Sequence, residues 1–204
     1  MLLFNLLTAL FITMALIPLL MQHAARLQLV DVPNSERKIH AHAVPPVGGI
    51  AMALGTLVPL VVVASLATSG AGPVPAMIAG LVLIVLLGVA DDRFDLDYRL
   101  RLVAQVLAAS IVVFQGGVVI RETSIPWLTE LPLSVGGPLT VVALVGVTNA
   151  INLSDGLDGL AGGTVLLVSA ALALLGFTHG DGLVLLTSAG MIGSIIGFLR
   201  FNTH

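Results

Sequence analysis

Seven long apolar segments constrain what this chain can fold into. They cover residues 1–21, 47–67, 74–90, 102–120, 135–150, 160–177 and 183–201. Their interiors contain no Asp, Glu, Lys or Arg. A membrane-spanning helix needs about 20 mostly apolar residues, and inside lipid only helices or closed barrels satisfy all backbone polar groups. The sequence therefore predicts an all-α, polytopic integral membrane protein with about seven transmembrane helices, forming a single transmembrane domain over residues 1–204.

The composition excludes several other classes of protein. Hydrophobic residues make up 57% of the chain and charged residues 9%, whereas soluble domains have roughly 45–50% apolar and about 25% charged residues. The absence of cysteine excludes disulfides, thiolate nucleophiles and Cys-ligated zinc. A signal peptide has a basic segment before its apolar core, but here the first positive charge, Arg26, comes after it. We therefore interpret residues 1–21 as a membrane helix.

The positive charges indicate an orientation. Seven of the eight Lys and Arg residues fall on one set of connections or at the end of the last segment, and only Arg121 falls on the other side. Because Lys and Arg are enriched on the cytoplasmic side of membrane proteins, we expect cytoplasmic loops at 23–46, 91–101 and 151–159, and an external N-terminus. The external stretch 121–134 is expected to form a small hairpin or loop.

Adjacent carboxylates stand where the third apolar segment ends, at Asp91 and Asp92. At a membrane-depth helix end such a pair repels, and a bound cation, protonation or a basic partner relieves the repulsion. Asp95 and Asp97 are each spaced i,i+4 from an arginine. For those two we favour solvated ion pairs of about 0.3–0.5 kcal/mol each.

The stretch 149–163 reads N-A-I-N-L-S-D-G-L-D-G-L-A-G-G and combines two amides, two carboxylates and four glycines. Asn149 and Asn152 are spaced i,i+3, so they share one helical face. The asparagines could bond neighbouring helices, and Asp158 could cap the next one. A cap uses one side chain, however, and with Asp155 the segment supplies four polar ones.

The first long connection carries Arg37 and Lys38, followed by His40 and His42. The two basic residues are equally consistent with setting the topology and with binding phosphate. Two histidines are too few for a convincing zinc site.

Together, the clusters place four carboxylates on one predicted side of the membrane. Such an assembly requires a divalent cation, and oxygen donors suit Mg²⁺, with Mn²⁺ also acceptable. The basic residues indicate an anionic substrate. The carboxylates are Asp91, Asp92, Asp155 and Asp158, and the basic residues are Arg37, Lys38, Arg99 and Arg101. These residues alone predict metal-assisted phosphoryl chemistry at a membrane interface.

Three motifs resemble those of the polyprenyl-phosphate N-acetylhexosamine-1-phosphate transferases of the MraY and WecA type, glycosyltransferase family 4. They are P-N-x-x-R-K-x-H followed by P-x-G-G over residues 33–49, G-x-x-D-D over 88–92, and N-x-x-N-x-x-D-G-x-D-G-L over 149–160. Their order, spacing and membrane side agree with that family. The first loop looks more like the WecA and teichoic-acid linkage branch.

The resemblance implies that a phosphate oxygen of a polyprenyl phosphate attacks the β-phosphorus of a UDP-sugar and releases UMP. The expected donor is UDP-GlcNAc and the expected acceptor is undecaprenyl or decaprenyl phosphate, with Mg²⁺ as cofactor. The resemblance also implies a bacterial cytoplasmic membrane, cell-envelope polysaccharide synthesis and a cytoplasmic active site. It is compatible with a homodimer and implies no nucleic-acid partner.

Residue roles carry over from the same motifs. Asp91 matches a base or phosphate-orienting group, and Asp92 and Asn152 match positions at the metal. Asp155 and Asp158 match residues that contact the nucleotide sugar and complete the catalytic set. The substrate-binding set implied by the resemblance is Arg37, Lys38, Asn149, Asn152, Asp155 and Asp158.

One departure from the family lies at the end of the sequence. In the family, F-L-x-x-N, here beginning at Phe198, leads into an M-G-D block whose aspartate is a further metal ligand, whereas this sequence stops at His204. We therefore expect the N-terminal part of a larger family domain that alone binds metal poorly and does not turn over. An inactive membrane fragment is one alternative. A secondary transporter is another, but transporters place ionisable groups near the membrane midplane, whereas these carboxylates lie at helix ends.

Overall fold

The computed structural model describes residues 1–24, 47–66, 72–126, 128–156 and 159–202. These residues form seven α-helices and one small β-hairpin, and the last turn of the fourth helix continues as a π-helix, Ile111–Gln115. The helices are α1 (Leu2–Ala24), α2 (Gly48–Leu66), α3 (Val74–Phe94), α4 (Tyr98–Ser110), α5 (Leu133–Ser154), α6 (Leu160–His179) and α7 (Gly182–Asn202). The hairpin pairs β1 (Glu122–Ile125) with β2 (Leu128–Glu130).

The predicted all-α membrane fold is confirmed, and the number of spans is close to the prediction. Six of the described helices are long and apolar enough to cross a membrane, when α4 is counted with its π-helical continuation. The remaining helix, α2, contributes a shorter apolar stretch, Gly48–Val62. The count of seven is therefore approximate.

Two helices that carry predicted site residues continue beyond the apolar segments that predict them. The third segment ends at residue 90, but α3 runs to Phe94 and α4 begins at Tyr98. Similarly, α5 continues past residue 150 to Ser154. Hydrophobicity marks only the hydrocarbon-spanning part of a helix, whereas backbone hydrogen bonding can extend into the headgroup region. Asp91 and Asp92 therefore lie in the last turn of a helix.

The chain divides into two compact units. The first comprises Met1–Leu66, Asp92–Asp95 and Asp155–His204, and the second comprises Ala67–Asp91 and Leu96–Ser154. The expectation of a single transmembrane domain stays a prediction, and each unit is described by itself.

In the first unit, α7 packs against α1, α2 and α6, and α1 also packs against α2. Glycines allow the α1–α7 contact, because a β-carbon on Gly193 would overlap the carbonyl oxygen of Leu6. One turn further along α7, a β-carbon on Gly197 would lie 3.1 Å from the carbonyl oxygen of Leu10. The spacing Gly193-x-x-x-Gly197 is the small-residue pattern that lets membrane helices approach closely.

Buried polar side chains add hydrogen bonds between α1, α2 and α7. Thr56 Oγ1 of α2 and Ser194 Oγ of α7 lie 2.9 Å apart. Thr13 Oγ1 of α1 donates to the carbonyl oxygen of Ala51 at 3.3 Å, and Asn5 Nδ2 donates to that of Leu186 at 3.2 Å. Such bonds contribute on average about 0.6 kcal/mol each in a membrane protein, so they select one register of packing more than they supply stability.

In the second unit, α4 and its π-helical continuation pack against α5, around a buried cluster of Ala109, Val113 and Val141. The hairpin predicted for the external stretch is present. The segment leading into it is tied to α5, because Thr140 Oγ1 accepts from Ile120 N at 2.9 Å and donates to the carbonyl oxygen of Gly136 at 2.6 Å.

Candidate active site

Asp91 is held by two donors that reach the same carboxylate oxygen. Arg101 Nε lies 2.9 Å from Asp91 Oδ1, and Leu96 N donates to that oxygen at 3.1 Å. Arg101 Nε also lies 2.9 Å from the carbonyl oxygen of Leu96. The Asp91 side chain is 25% exposed, so it remains accessible. Of the three possible remedies for the Asp91–Asp92 repulsion, the structure provides a basic partner for Asp91.

The predicted pairing of Asp97 with Arg101 is wrong. Asp97 is the N-cap of α4, and its Oδ1 accepts from the backbone N–H of Arg99 at 2.9 Å. The first N–H groups of a helix have no intrahelical acceptor, and a capping aspartate satisfies one of them. Arg101 is left to reach back to Asp91 on α3. The side chain of Arg99 turns to its neighbour instead, with Nε 3.1 Å from Tyr98 Oη.

Asp95, directly after α3, has a backbone conformation that is uncommon for a residue with a side chain. Its φ angle is 47°, in the left-handed region where glycine and, less often, Asn or Asp are found. This backbone conformation helps the chain to reverse direction within three residues, and α4 begins at Tyr98. The tight turn is what brings Arg101 back to Asp91.

Asp92 is exposed in the last turn of α3. Successive residues of an α-helix are about 100° apart around its axis, so Asp91 and Asp92 leave α3 in different directions. The exposed side chain of Asp92 therefore points in a different direction from that of Asp91.

Asn149 bonds a partner that the sequence analysis missed. Its Nδ2 donates to Gln105 Oε1 of α4 at 2.6 Å and to the carbonyl oxygen of Val145, one turn earlier in α5, at 2.8 Å. The available signal was an amide inside the fourth apolar segment, spaced i,i+4 from Arg101. Asn152 lies one turn beyond Asn149 in α5, with an exposed side chain.

One face of α4 thus supports two predicted site residues. Arg101 and Gln105 are i,i+4, so their β-carbons lie about 5–6 Å apart on one helix face. Arg101 contacts Asp91 from α3 and Gln105 contacts Asn149 from α5. Within the second unit, Asp91 of α3 and Asn149 of α5 therefore contact adjacent turns of α4.

The first unit carries Asp155 and the turn that leads into α6. Asp155 is exposed. Gly159, just before α6, has a φ angle of 76°, which favours glycine. Its backbone N–H donates to Asn202 Oδ1 near the end of α7 at 3.1 Å. Asn202 is the asparagine of the F-L-x-x-N motif and was not among the predicted site residues.

Three predicted site residues lie outside the part of the chain that the structure describes. They are Arg37, Lys38 and Asp158. Within the described residues, no three His, Cys, Asp or Glu side chains are grouped as a metal site. Asp92 in the first unit has an exposed carboxylate, and Asn152 in the second unit has an exposed amide.

The amino-acid sequence is similar to those of several known proteins. The model of the family described as Glycosyl transferase family 4 matches residues 74–204. A probable undecaprenyl-phosphate N-acetylglucosaminyl 1-phosphate transferase of Bacillus subtilis (strain 168) is 37% identical over 98% of this chain and 54% of its own length. A decaprenyl-phosphate N-acetylglucosaminephosphotransferase of Mycobacterium leprae (strain TN) is 33% identical over 89% of this chain and 49% of its own length.

A phospho-N-acetylmuramoyl-pentapeptide-transferase of Halalkalibacterium halodurans is 32% identical over 100% of this chain and 67% of its own length. The chain spans about half the length of the first two relatives. The family model covers more than half of the chain and includes the G-x-x-D-D and N-x-x-N-x-x-D-G-x-D-G-L motifs. This chain is a member of glycosyl transferase family 4.

Proposed function

We propose that the protein carrying this chain transfers N-acetylglucosamine-1-phosphate from UDP-GlcNAc to undecaprenyl or decaprenyl phosphate and releases UMP. The observation that carries the proposal is the family match over residues 74–204. The names of the Bacillus and Mycobacterium relatives support N-acetylglucosamine as the sugar and a polyprenyl phosphate as the acceptor. Cell-envelope polysaccharide synthesis is the process that such a product would serve.

The geometry around Asp91 suits a role in orienting a phosphate. Both described donors to its carboxylate use Oδ1, so Oδ2 is the oxygen that would face a substrate. The positive charge of Arg101 offsets the negative charge of Asp91. This reduces the electrostatic repulsion between Asp91 and an incoming phosphate. Phosphoryl transfer depends mainly on positioning and on stabilisation of charge.

A divalent cation completes the proposal. Asp92 and Asn152 would contribute a carboxylate and an amide oxygen, which are donor types that Mg²⁺ and Mn²⁺ accept. Magnesium, when bound, would neutralise the diphosphate and the UMP leaving group. We assign Asp155, Asp158 and Asn149 to the sugar nucleotide, and Arg37 and Lys38 to its phosphates.

The proposed location is the bacterial cytoplasmic membrane, with the N-terminus outside and the active site on the cytoplasmic face. The distribution of Lys and Arg supports this orientation, because seven of the eight fall on one predicted side. A homodimer remains a further expectation.

The test uses membranes that contain the 204-residue chain and, in parallel, the product of the complete reading frame that includes it. They are supplied with labelled UDP-GlcNAc, undecaprenyl phosphate and Mg²⁺. We expect Mg²⁺-dependent lipid-linked label and an equal amount of UMP from the product of the complete reading frame. A parallel assay uses labelled UDP-MurNAc-pentapeptide. Transfer of label from that compound and not from UDP-GlcNAc would show that UDP-MurNAc-pentapeptide is the donor. No label from either sugar nucleotide in that preparation, with expression verified, would overturn the function.

A further inference from the structure

The hydrogen bonds of Asn149 determine which of its atoms is left for a ligand. The carbonyl oxygen of Val145 can only accept, so the Asn149 atom 2.8 Å from it must be the nitrogen Nδ2. The same nitrogen reaches Gln105 Oε1 at 2.6 Å. A primary amide carries two N–H groups, so these two acceptors use both of them. Only Oδ1 of Asn149 remains to interact with anything else.

We propose that Gln105 is a positioning residue, which holds Asn149 so that this side chain offers an acceptor oxygen to the active site. The inference rests on the proposed function and deepens it. Held in this way, Asn149 suits a hydroxyl or N–H donor of the sugar nucleotide, or a divalent cation. It does not suit a phosphate oxygen, which would require an N–H donor.

The surroundings of Gln105 explain why the pair forms. Gln105 lies on the wall of a groove of about 160 Å³ between α3, α4 and α5, which is lined mainly by apolar and small residues such as Ile84, Ala108 and Leu144. An amide oxygen there has few acceptable partners, and leaving it without one carries a desolvation cost. Asn149 supplies the partner. The amide pair therefore fixes both side chains in one orientation.

Gln105 also belongs to the helix face that holds Asp91. Arg101, one turn earlier on α4, contacts that carboxylate. A shift of Asn149 would change its position relative to Asp91, because both are attached to the same stretch of α4. Gln105 thus acts on the geometry of the site through Asn149, without itself touching the reacting groups.

A double-mutant cycle tests the proposal in the product of the complete reading frame. Gln105→Met keeps the side-chain length and removes the hydrogen bond, and Asn149→Ala removes its partner. We expect each single variant to lower kcat/KM by about tenfold, the scale of one hydrogen bond. We expect the double variant to be no worse than Asn149→Ala alone, because Gln105 acts only through Asn149.

Two further measurements separate positioning from general damage. The KM for UDP-GlcNAc and the Mg²⁺ concentration for half-maximal rate are measured for each variant. A changed KM for UDP-GlcNAc would identify the sugar nucleotide as the ligand of Asn149. A changed Mg²⁺ concentration for half-maximal rate would identify the cation. Val106→Met, at an exposed neighbouring position of α4, is the matched control and should leave both values unchanged. The Tm of Gln105→Met in detergent should stay within a few degrees of the parent.

Two results would overturn the proposal. If the effects of Gln105→Met and Asn149→Ala multiply in the double variant, Gln105 acts independently, for example by donating from Nε2 to a substrate. If Gln105→Met is as active as the parent, the amide pair does not position Asn149. The proposed function fails by a different result, in which the unmutated protein shows neither transfer nor binding of UDP-GlcNAc.

Discussion

Arg101 of α4 lies with its Nε 2.9 Å from Oδ1 of Asp91, across the short turn that separates α3 from α4. The Arg101 side chain is 41% exposed, so the pair contributes little to stability, about 0–1 kcal/mol. Its consequence is geometric, because it fixes one carboxylate oxygen and leaves the other accessible.

Replacing Arg101 should therefore affect transfer much more than folding. We expect Arg101→Met to lower kcat/KM for sugar-phosphate transfer by about tenfold or more, because Asp91 loses the charge-assisted contact that orients it. The Tm should change by only a few degrees. Arg121→Met removes the same charge beside the hairpin and should retain full activity. A loss of Tm that accounts for all the lost activity would show that the pair is structural.

Asp92 is expected to be needed for the Mg²⁺-dependent step. Asp92→Asn keeps the size of the side chain and removes its charge, and we expect the rate of UMP release to fall by about two orders of magnitude or more. Membrane insertion should be unaffected. Asp181→Asn is the control, because Asp181 Oδ1 caps the start of α7 and asparagine caps a helix equally well. Near-normal turnover of Asp92→Asn would mean that this carboxylate is merely solvated.

Asn202 should support the turn before α6. Asn202→Ala removes the acceptor of the Gly159 N–H bond, and we expect the KM for UDP-GlcNAc to rise several-fold, the effect of about 1 kcal/mol. Asn202→Asp keeps an acceptor oxygen at the same position and should restore most of the affinity. The aspartate variant behaving as badly as the alanine variant would mean that the amide nitrogen of Asn202 is what matters.

The contact between α1 and α7 should not tolerate a side chain. Gly193→Leu places bulk where a β-carbon alone would overlap the carbonyl oxygen of Leu6, and we expect destabilisation of about 1–3 kcal/mol or more. Gly146→Ala in α5 is the control, since nothing lies within 4 Å of its added β-carbon. Thermal unfolding in detergent measures the Tm of both variants. An unchanged Tm for Gly193→Leu would show that the two helices do not pack at this point.

Hydrophobicity predicts the helices well because lipid leaves the backbone few alternatives. It does not predict which faces of those helices meet. Asp97 illustrates the limit, because its spacing fits an ion pair with Arg101 and equally fits a helix cap, and the structure uses it as the cap. Only the position of α3 relative to α4 decides between these roles.

Gln105 and Asn202 show a second limit. Each bonds a residue more than 40 positions away in the chain, and no local spacing rule relates such pairs. The motifs identified Asn149 and Gly159 as part of a polar stretch, but Gln105 lies in an otherwise apolar segment and Asn202 directly follows one. Long-range hydrogen bonds of this kind can be read only from the packed helices.

The contact of α1 with α7 also bears on how the protein is made. Leu6 emerges from the ribosome long before Gly193, and at a translation rate of about 5–20 residues per second the delay is roughly 10–40 s. During that interval the first helix waits in the bilayer without the partner against which most of its packing is built. Its buried Asn5, which donates to the carbonyl oxygen of Leu186 in α7, would meanwhile lack this partner. Assembly of this unit must therefore follow the insertion of α7.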